Sequence, residues 1–238
     1  MTTAPLFLVD ELPAAGAFAL TGEEGRHAAR VRRLGVGESL LVGDGRGGII
    51  ECTVASVAAD GLDLQVTSRR AVPAPDPRIV VVQGLPKGDR AELAVETMTE
   101  LGVDEIVPWA AARSIVRWDG PRGVKALDRW RRTAREAAKQ SRRAWVPVVA
   151  GPVTAAQVAA PTFVLHEAAT TPLATAQLPS TGEVVVVVGP EGGIATDELA
   201  LFAAAGAVPV RLGSPVLRTS TAGAAALAAL SLRLGRWS

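Results

Sequence analysis

The sequence predicts an α/β protein in two parts, a small and mostly β unit followed by a larger domain built on a parallel sheet. Three features carry that expectation: short strand-like runs with a hairpin signal over residues 6–70, a proline-spaced break at 72–77, and apolar runs alternating with helical periodicity from residue 78 onward. The 238 residues are enough for a small domain plus a medium one. With 48% apolar and 21% charged residues, the chain can bury a sizeable core and falls outside the disordered class.

In the first unit, Leu6-Phe7-Leu8-Val9 is a short apolar strand. Thr21-Gly22-Glu23-Glu24 has the spacing of a capping box, with Thr21 as N-cap, and predicts a helix running to Arg33. Strands are expected at 39–42, 49–57 and 62–67, the last two joined by a turn containing Asp60-Gly61. Pro73, Pro75 and Pro77 remove amide donors and favour extended backbone, so 72–77 reads as a stiff linker. The domains are therefore expected at 1–72 and 78–238. Beyond the linker, strands are expected at 79–82, 105–108, 146–149, 162–166, 184–188 and 208–212. Helices are expected at 89–101 with Gly102 as its stop, at 123–142, from Thr196 as N-cap with Asp197 and Glu198 in the first turn, and at 219–234. Continuous apolar strands between helices imply a parallel sheet covered on both faces.

The net charge of +1 conceals an uneven distribution. Residues 1–76 carry 7 Lys/Arg against 10 Asp/Glu (−3), residues 77–150 carry 14 against 9 (+5), and residues 151–238 carry 4 against 5 (−1). Residues 122–143 alone hold nine basic side chains and two acidic ones, Asp128 and Glu136. Such a block suits a polyanion, because each phosphate contact releases counterions; it suits a solvated helix face equally well. No apolar run reaches the roughly 18 residues of a membrane helix, and Met1 to Asp10 lacks the basic and apolar regions of a signal peptide. Cys52 is the lone cysteine, which removes intrachain disulfides and fits a reducing cytoplasm. Two histidines and one cysteine far apart in sequence give no zinc pattern, so no metal is expected.

Several motifs compete for attention. Gly43-Asp44-Gly45-Arg46-Gly47-Gly48 matches the dinucleotide fingerprint, but a strand follows it where that motif needs a helix, so it reads as a hairpin turn. Val184 to Val188 form a buried strand that opens into Gly189-Pro190-Glu191-Gly192-Gly193. In open α/β sheets, ligands bind beyond the carboxyl ends of the strands. Glycines there bring backbone N–H and C=O groups close to a ligand, and those groups can read an adenine edge. Without a basic residue, the loop is a poor phosphate cradle. A second loop, Leu212-Gly213-Ser214-Pro215-Val216-Leu217-Arg218, ends with Arg218 at the mouth of the last helix and Thr219 as its N-cap. An arginine is badly placed for the helix dipole, which marks it as a functional candidate. A third strand end, Leu165-His166-Glu167, turns polar directly after an apolar run.

Taken together, these three strand ends, with Thr219-x-Thr221-Ala222, resemble the donor-binding loops of the SPOUT methyltransferases, and of these the RsmE family most. His27-x-x-x-Val31-x-Arg33-Leu34 is similar to the family's N-terminal basic motif. Gln83 to Arg90, Thr99-Glu100-Leu101-Gly102-Val103, and Ala137-Ala138-Lys139-Gln140-Ser141 with Val146-Pro147 are similar to segments of its catalytic domain. The chain departs from the family pattern at Arg32, Lys139 and Ser220, the last standing where a glutamate is usual. The resemblance implies an N-terminal PUA-like RNA-binding β-barrel and a C-terminal α/β SPOUT domain with a deep trefoil knot. It implies S-adenosyl-L-methionine as cofactor, N3 of one uridine of 16S rRNA in the small ribosomal subunit as target, and a homodimer. The small residues of the final helix would let another helix approach.

On this reading the cofactor-binding residues are Leu165, His166, Glu167, Gly189, Pro190, Glu191, Gly192, Gly193, Leu212, Gly213, Val216, Leu217, Arg218, Thr219, Thr221 and Ala222. Uracil N3 must lose a proton to become a nucleophile, and a cation beside its carbonyl oxygens favours that loss. Arg218 is expected to supply the cation and Glu191, or a water it holds, to accept the proton. The RNA would lie on His27, Arg30, Arg33, Lys87, Arg90, Arg113, Arg117, Arg135, Lys139 and Arg142. Two rivals stay open on residues alone: a ribose 2′-O-methyltransferase of the same superfamily, and a non-catalytic RNA-binding protein.

Overall fold

The computed structural model describes residues 4–14, 16–88, 90–160 and 162–237. Met1 to Thr3, where the first domain was expected to start, and Asp89, expected to open a helix, lie outside the described residues. The chain divides into two compact units, Met1–Ala74 with Ala138–Val146, and Pro75–Ala137 with Pro147–Ser238. The segment Ala138–Val146, expected in the second domain, thus belongs to the first unit. Ala144 and Val146 pack on Leu6, Leu8 and Ile49, and the Trp145 indole donates to the Val72 carbonyl at 2.9 Å. No helix among the described residues is long and apolar enough to cross a membrane.

The first unit contains β1 (Leu6–Leu8), β2 (Ala17–Leu20), α1 (Gly22–Arg26) continuing into a π-helical turn over His27–Val31, β3 (Ser39–Gly43), β4 (Gly48–Ala58) and β5 (Gly61–Ala71). The sheet runs β1-β3-β4-β5-β2, with β1 and β3 parallel and the rest antiparallel. Its core gathers Phe7, Leu20, Leu40, Val42, Ile50, Cys52 and Leu64. Burial pushes the Cys52 thiol up to about 11, which leaves it inert near neutral pH. The edge strand β2 had no clear sequence signal, since only Leu20 of its four residues is buried. The glycine-rich 43–48 segment is the hairpin turn expected, held by Asp44 Oδ1, which accepts the amides of Arg46 and Gly48 at 2.7 and 3.0 Å. At the other hairpin, Ala58 pairs with Gly61, so the turn is Ala59-Asp60. Gly61 is required for a different reason: a Cβ there would collide with the Leu20 carbonyl.

The capping box expected at Thr21 does not form. The Thr21 side chain makes no cap hydrogen bond. The Glu24 carboxylate instead accepts Lys139 Nζ at 2.7 Å. The helical segment also ends at Val31, short of Arg33, which turns into the left-handed region at φ 55°.

The second unit contains β6 (Arg78–Gly84), α2 (Arg90–Glu100), β7 (Glu105–Trp109), α3 (Gly120–Gln140, its residues from Ala138 onward belonging to the first unit), β8 (Val148–Val149), β9 (Phe163–Leu165), β10 (Thr171–Pro172), β11 (Glu183–Val188), α4 (Thr196–Ala204), β12 (Val208–Arg211) and α5 (Thr219–Arg233). Its sheet is parallel throughout, in the order β10-β12-β9-β11-β6-β7-β8. Both faces are covered, as the continuous apolar strands predict. Ile79, Val81, Val184 and Val186 meet Met98 of α2, Trp130 of α3 and Leu227 of α5 on one face. Val80, Val82, Val185 and Val187 meet Trp109 and Phe202 of α4 on the other. The small residues of α5 serve this packing: a Cβ on Gly223 would stand 2.7 Å from Met98 Sδ of α2. The close helix approach that the sequence suggested for a second copy is therefore made inside the chain.

Candidate active site

Because β12, β9 and β11 are neighbours in the sheet, their C-terminal ends open together onto one cleft of about 560 Å3. Every residue expected to bind cofactor lines that cleft except Thr221. Thr221, in the first turn of α5, turns its hydroxyl back to donate to the Arg218 carbonyl at 3.1 Å instead. Arg113, Ile194, Arg211 and Ser214 line the cleft as well and were not expected in it.

The glycine loop is packed too closely against its neighbours to admit a Cβ. A Cβ on Gly84, at the end of β6, would stand 2.7 Å from Pro190 N. One on Gly189 would stand 2.8 Å from Ile194 Cγ1, and one on Gly192 2.7 Å from the Arg113 carbonyl oxygen. Gly193 adopts φ +73° while its amide donates to the Pro190 carbonyl at 2.9 Å. Side chains are thus excluded, and main chain forms the cleft wall.

The two expected catalytic residues lie in the same cleft. Arg218 is itself the N-cap of α5, with φ −71° and ψ 153°; Thr219, expected as the cap, is the first helical residue and is buried. Arg218 is exposed, and among the described residues no acid pairs with its guanidinium. Glu191 is exposed too, and one of its oxygens accepts the Lys87 amide at 3.2 Å.

The residues expected on the RNA fall into different situations. Lys139 is buried, and its ammonium is committed to Glu24, which removes it from any RNA face. His27 is half-buried, with its ring edge-on to Phe7 at 5.9 Å. Arg30 donates to the Ala59 carbonyl at 3.0 Å, and Arg117 to the carbonyls of Ala111 and Ala112. Arg135 and Arg142 have partners within the chain. Arg33, Lys87 and Arg90 are exposed. On α3, Arg122, Lys125 and Arg132 are exposed, whereas Arg129 pairs with Glu92 at 3.0 Å.

The sequence reading missed Glu198 as part of this site. It is 6% exposed, and its two oxygens accept the amides of Ala112 at 2.8 Å and Ala195 at 3.1 Å. The second bond is the backward half of a capping box, so a glutamate in a first helical turn was the only visible signal.

A parallel sheet with a glycine-walled cleft at its carboxyl edge, joined to a small mixed sheet, defines the class. The profile of the RNA methyltransferase domain family matches residues 73–231, and that of the RNA methyltransferase PUA domain matches residues 20–67. Ribosomal RNA small subunit methyltransferase E of Mycobacterium bovis is 47% identical over 98% of this chain and 94% of its own length. The protein of that name from Bacillus subtilis is 31% identical over 94% of this chain and 91% of its own. The crystal structure of ribosomal RNA small subunit methyltransferase E from Neisseria gonorrhoeae bound to S-adenosyl methionine superposes with a TM-score of 0.86 at 26% identity, covering 97% of this chain and 98% of that one. The chain belongs to the ribosomal RNA small subunit methyltransferase E family.

The residues present fit S-adenosylmethionine. The cleft volume lies within the roughly 300–1,000 Å3 of small-molecule sites. Its glycine main chain allows the close approach an adenine edge needs, and Leu165, Ile194, Leu212 and Leu217 give it apolar walls.

Proposed function

We propose that this chain is an S-adenosylmethionine-dependent methyltransferase acting on N3 of a uridine in 16S rRNA of the small ribosomal subunit. The observation that carries this reading is the glycine-walled cleft lined by Arg218, whose guanidinium has no partner among the described residues. Bound S-adenosylmethionine supplies an electrophilic methyl group on a sulfonium. The main chain of Gly189 to Gly193 and of Leu212 to Leu217 would hold it, and Leu165, His166 and Glu167 would close the third side. Arg218 places its charge beside the uracil carbonyl oxygens, favouring the deprotonated imide. Glu191, directly or through a water, takes the N3 proton. Positioning of the two partners then supplies much of the remaining rate.

RNA would track the exposed cations Arg122, Lys125 and Arg132 of α3, with Lys87, Arg90 and Arg117 of the second unit and Arg30 and Arg33 of the N-terminal domain contributing further charge. We take residues 1–72 as the PUA-like RNA-binding β-barrel and 78–238, apart from the segment 138–146 that belongs to the first compact unit, as the methyltransferase domain. A deep trefoil knot is part of this reading. It is supported by β12 pairing on one side of β9 while α5, which follows it, packs against β6 and β11 on the other. So is a homodimer, supported by the exposed apolar side chains of Leu217 and Val216 at the cleft and Leu232 on α5. The substrate sets the compartment as cytoplasmic.

The test supplies full-length protein with S-adenosylmethionine and small ribosomal subunits or naked 16S rRNA, then maps the nucleosides by mass. Methyl at uridine N3 is the expected product. Methyl on a ribose 2′-oxygen, or none with either substrate, overturns the reading.

A further inference from the structure

Arg113 brings a cation without a side-chain partner among the described residues into the cleft from an unexpected direction; Arg211 and Arg218 line the same cleft. It sits in the connection between β7 and α3, yet lines the cleft that opens beyond β9, β11 and β12. Its carbonyl oxygen lies 2.7 Å from the position of a Cβ on Gly192, and its guanidinium Nη1 lies 3.9 Å from the same position on Gly193. The side chain therefore reaches along the glycine loop. Among the described residues, no carboxylate or carbonyl pairs with that guanidinium.

The connection is fixed from below. The buried Glu198 carboxylate ties the Ala112 amide, one residue before Arg113, to the Ala195 amide, two residues after the glycine loop. Arg117 donates to the carbonyls of Ala111 and Ala112 at 3.4 and 3.1 Å, and the Ser114 amide to Ala111 at 3.0 Å. The backbone on either side of Arg113 is thus held in place before any ligand arrives. A guanidinium presents a planar fork that matches a carboxylate with two hydrogen bonds.

We propose that Arg113 binds the α-carboxylate of S-adenosylmethionine, which makes it a cofactor-binding residue rather than a contact to RNA phosphate. The proposal rests on the donor reading of the cleft. The cations suited to phosphate, Arg122, Lys125 and Arg132, stand outside the cleft lining, whereas Arg113 lies against the loop that would hold the donor. Glu198 is then a positioning residue, acting through the Ala112 amide.

The test compares two ligands by calorimetry on the full chain: S-adenosylmethionine and its decarboxylated form, which keeps the sulfonium and the amine. The wild type is expected to bind S-adenosylmethionine about 10- to 100-fold more tightly, the range of a charge-assisted pair. Arg113→Met keeps the backbone contact with Gly192 and is expected to bind the two ligands within about threefold of each other; Arg113→Lys, with charge but no fork, falls between. Equal affinities in the wild type, or discrimination that survives in Arg113→Met, overturn the proposal. Discrimination that survives while RNA affinity drops returns Arg113 to the RNA. Absence of binding by either ligand to the wild type sinks the donor reading itself, and this proposal with it.

Discussion

The cleft beyond β9, β11 and β12 and the long helix α3 both gather residues with a functional look, and they are built in opposite ways. In the cleft, glycine main chain makes part of the wall, and the guanidinium groups of three lining arginines, Arg113, Arg211 and Arg218, have no partner among the described residues. On α3, side chains carry everything, and much of the charge is already spent. Lys139 is buried against Glu24, Arg129 pairs with Glu92, and Arg131 lies 3.6 Å from Asp128. A basic residue is free to meet a ligand only when the fold gives it no acid. The density of cations along a sequence therefore overstates a binding face, and a single arginine at a glycine-walled cleft understates one.

The largest effect should come from the spent side. Lys139→Met leaves the Glu24 carboxylate buried without its cation, and unfolding by urea should show a loss of about 3–5 kcal/mol. The salt dependence of RNA binding should not change. A changed salt slope with intact stability would put Lys139 on the RNA and break the contrast.

Arg218→Ala should lower kcat about 100- to 1000-fold, the scale for removing one preorganised donor to a developing anion. Calorimetry should find the donor affinity within about threefold of wild type. Equal losses in both would leave Arg218 only its donor-binding role and remove the catalytic one.

Gly192→Ala should act the other way. A Cβ facing the Arg113 carbonyl at 2.7 Å must displace backbone. An overpacking cost of about 1–3 kcal/mol corresponds to roughly 10- to 100-fold in donor affinity. Turnover at saturating donor should stay near wild type.

The smallest effect belongs to single exposed cations of α3. Arg132→Ala should weaken RNA binding a few-fold and lower the slope of log affinity against log salt by about one. A slope that does not move would remove this helix from the RNA path.

Much of this arrangement was legible in the residues. The valine run of β11 and its glycine loop, the polar end of β9 and the Leu212–Arg218 segment announced a strand-edge ligand site, because apolar continuity and glycine placement are local signals. The neighbouring order of β12, β9 and β11 was not local, yet it is what makes one cleft from three loops. Arg113 and Glu198 escaped for the same reason. Their meaning depends on Ala112 and Ala195 sharing one carboxylate, 86 residues apart for the first bond. The capping box at Thr21 failed because a distant lysine offered Glu24 a stronger partner than a backbone amide. Edge strand β2 was missed because an exposed edge needs little apolar alternation.

A crystal of this protein soaked in S-adenosylmethionine addresses the central claim most directly. The adenosyl group should lie against the main chain of Gly189 to Gly193 and Leu212 to Leu217, with the carboxylate on Arg113 and the sulfonium facing Arg218. Density for the ligand anywhere else, or a cleft filled by the protein's own side chains at saturating ligand, would contradict it.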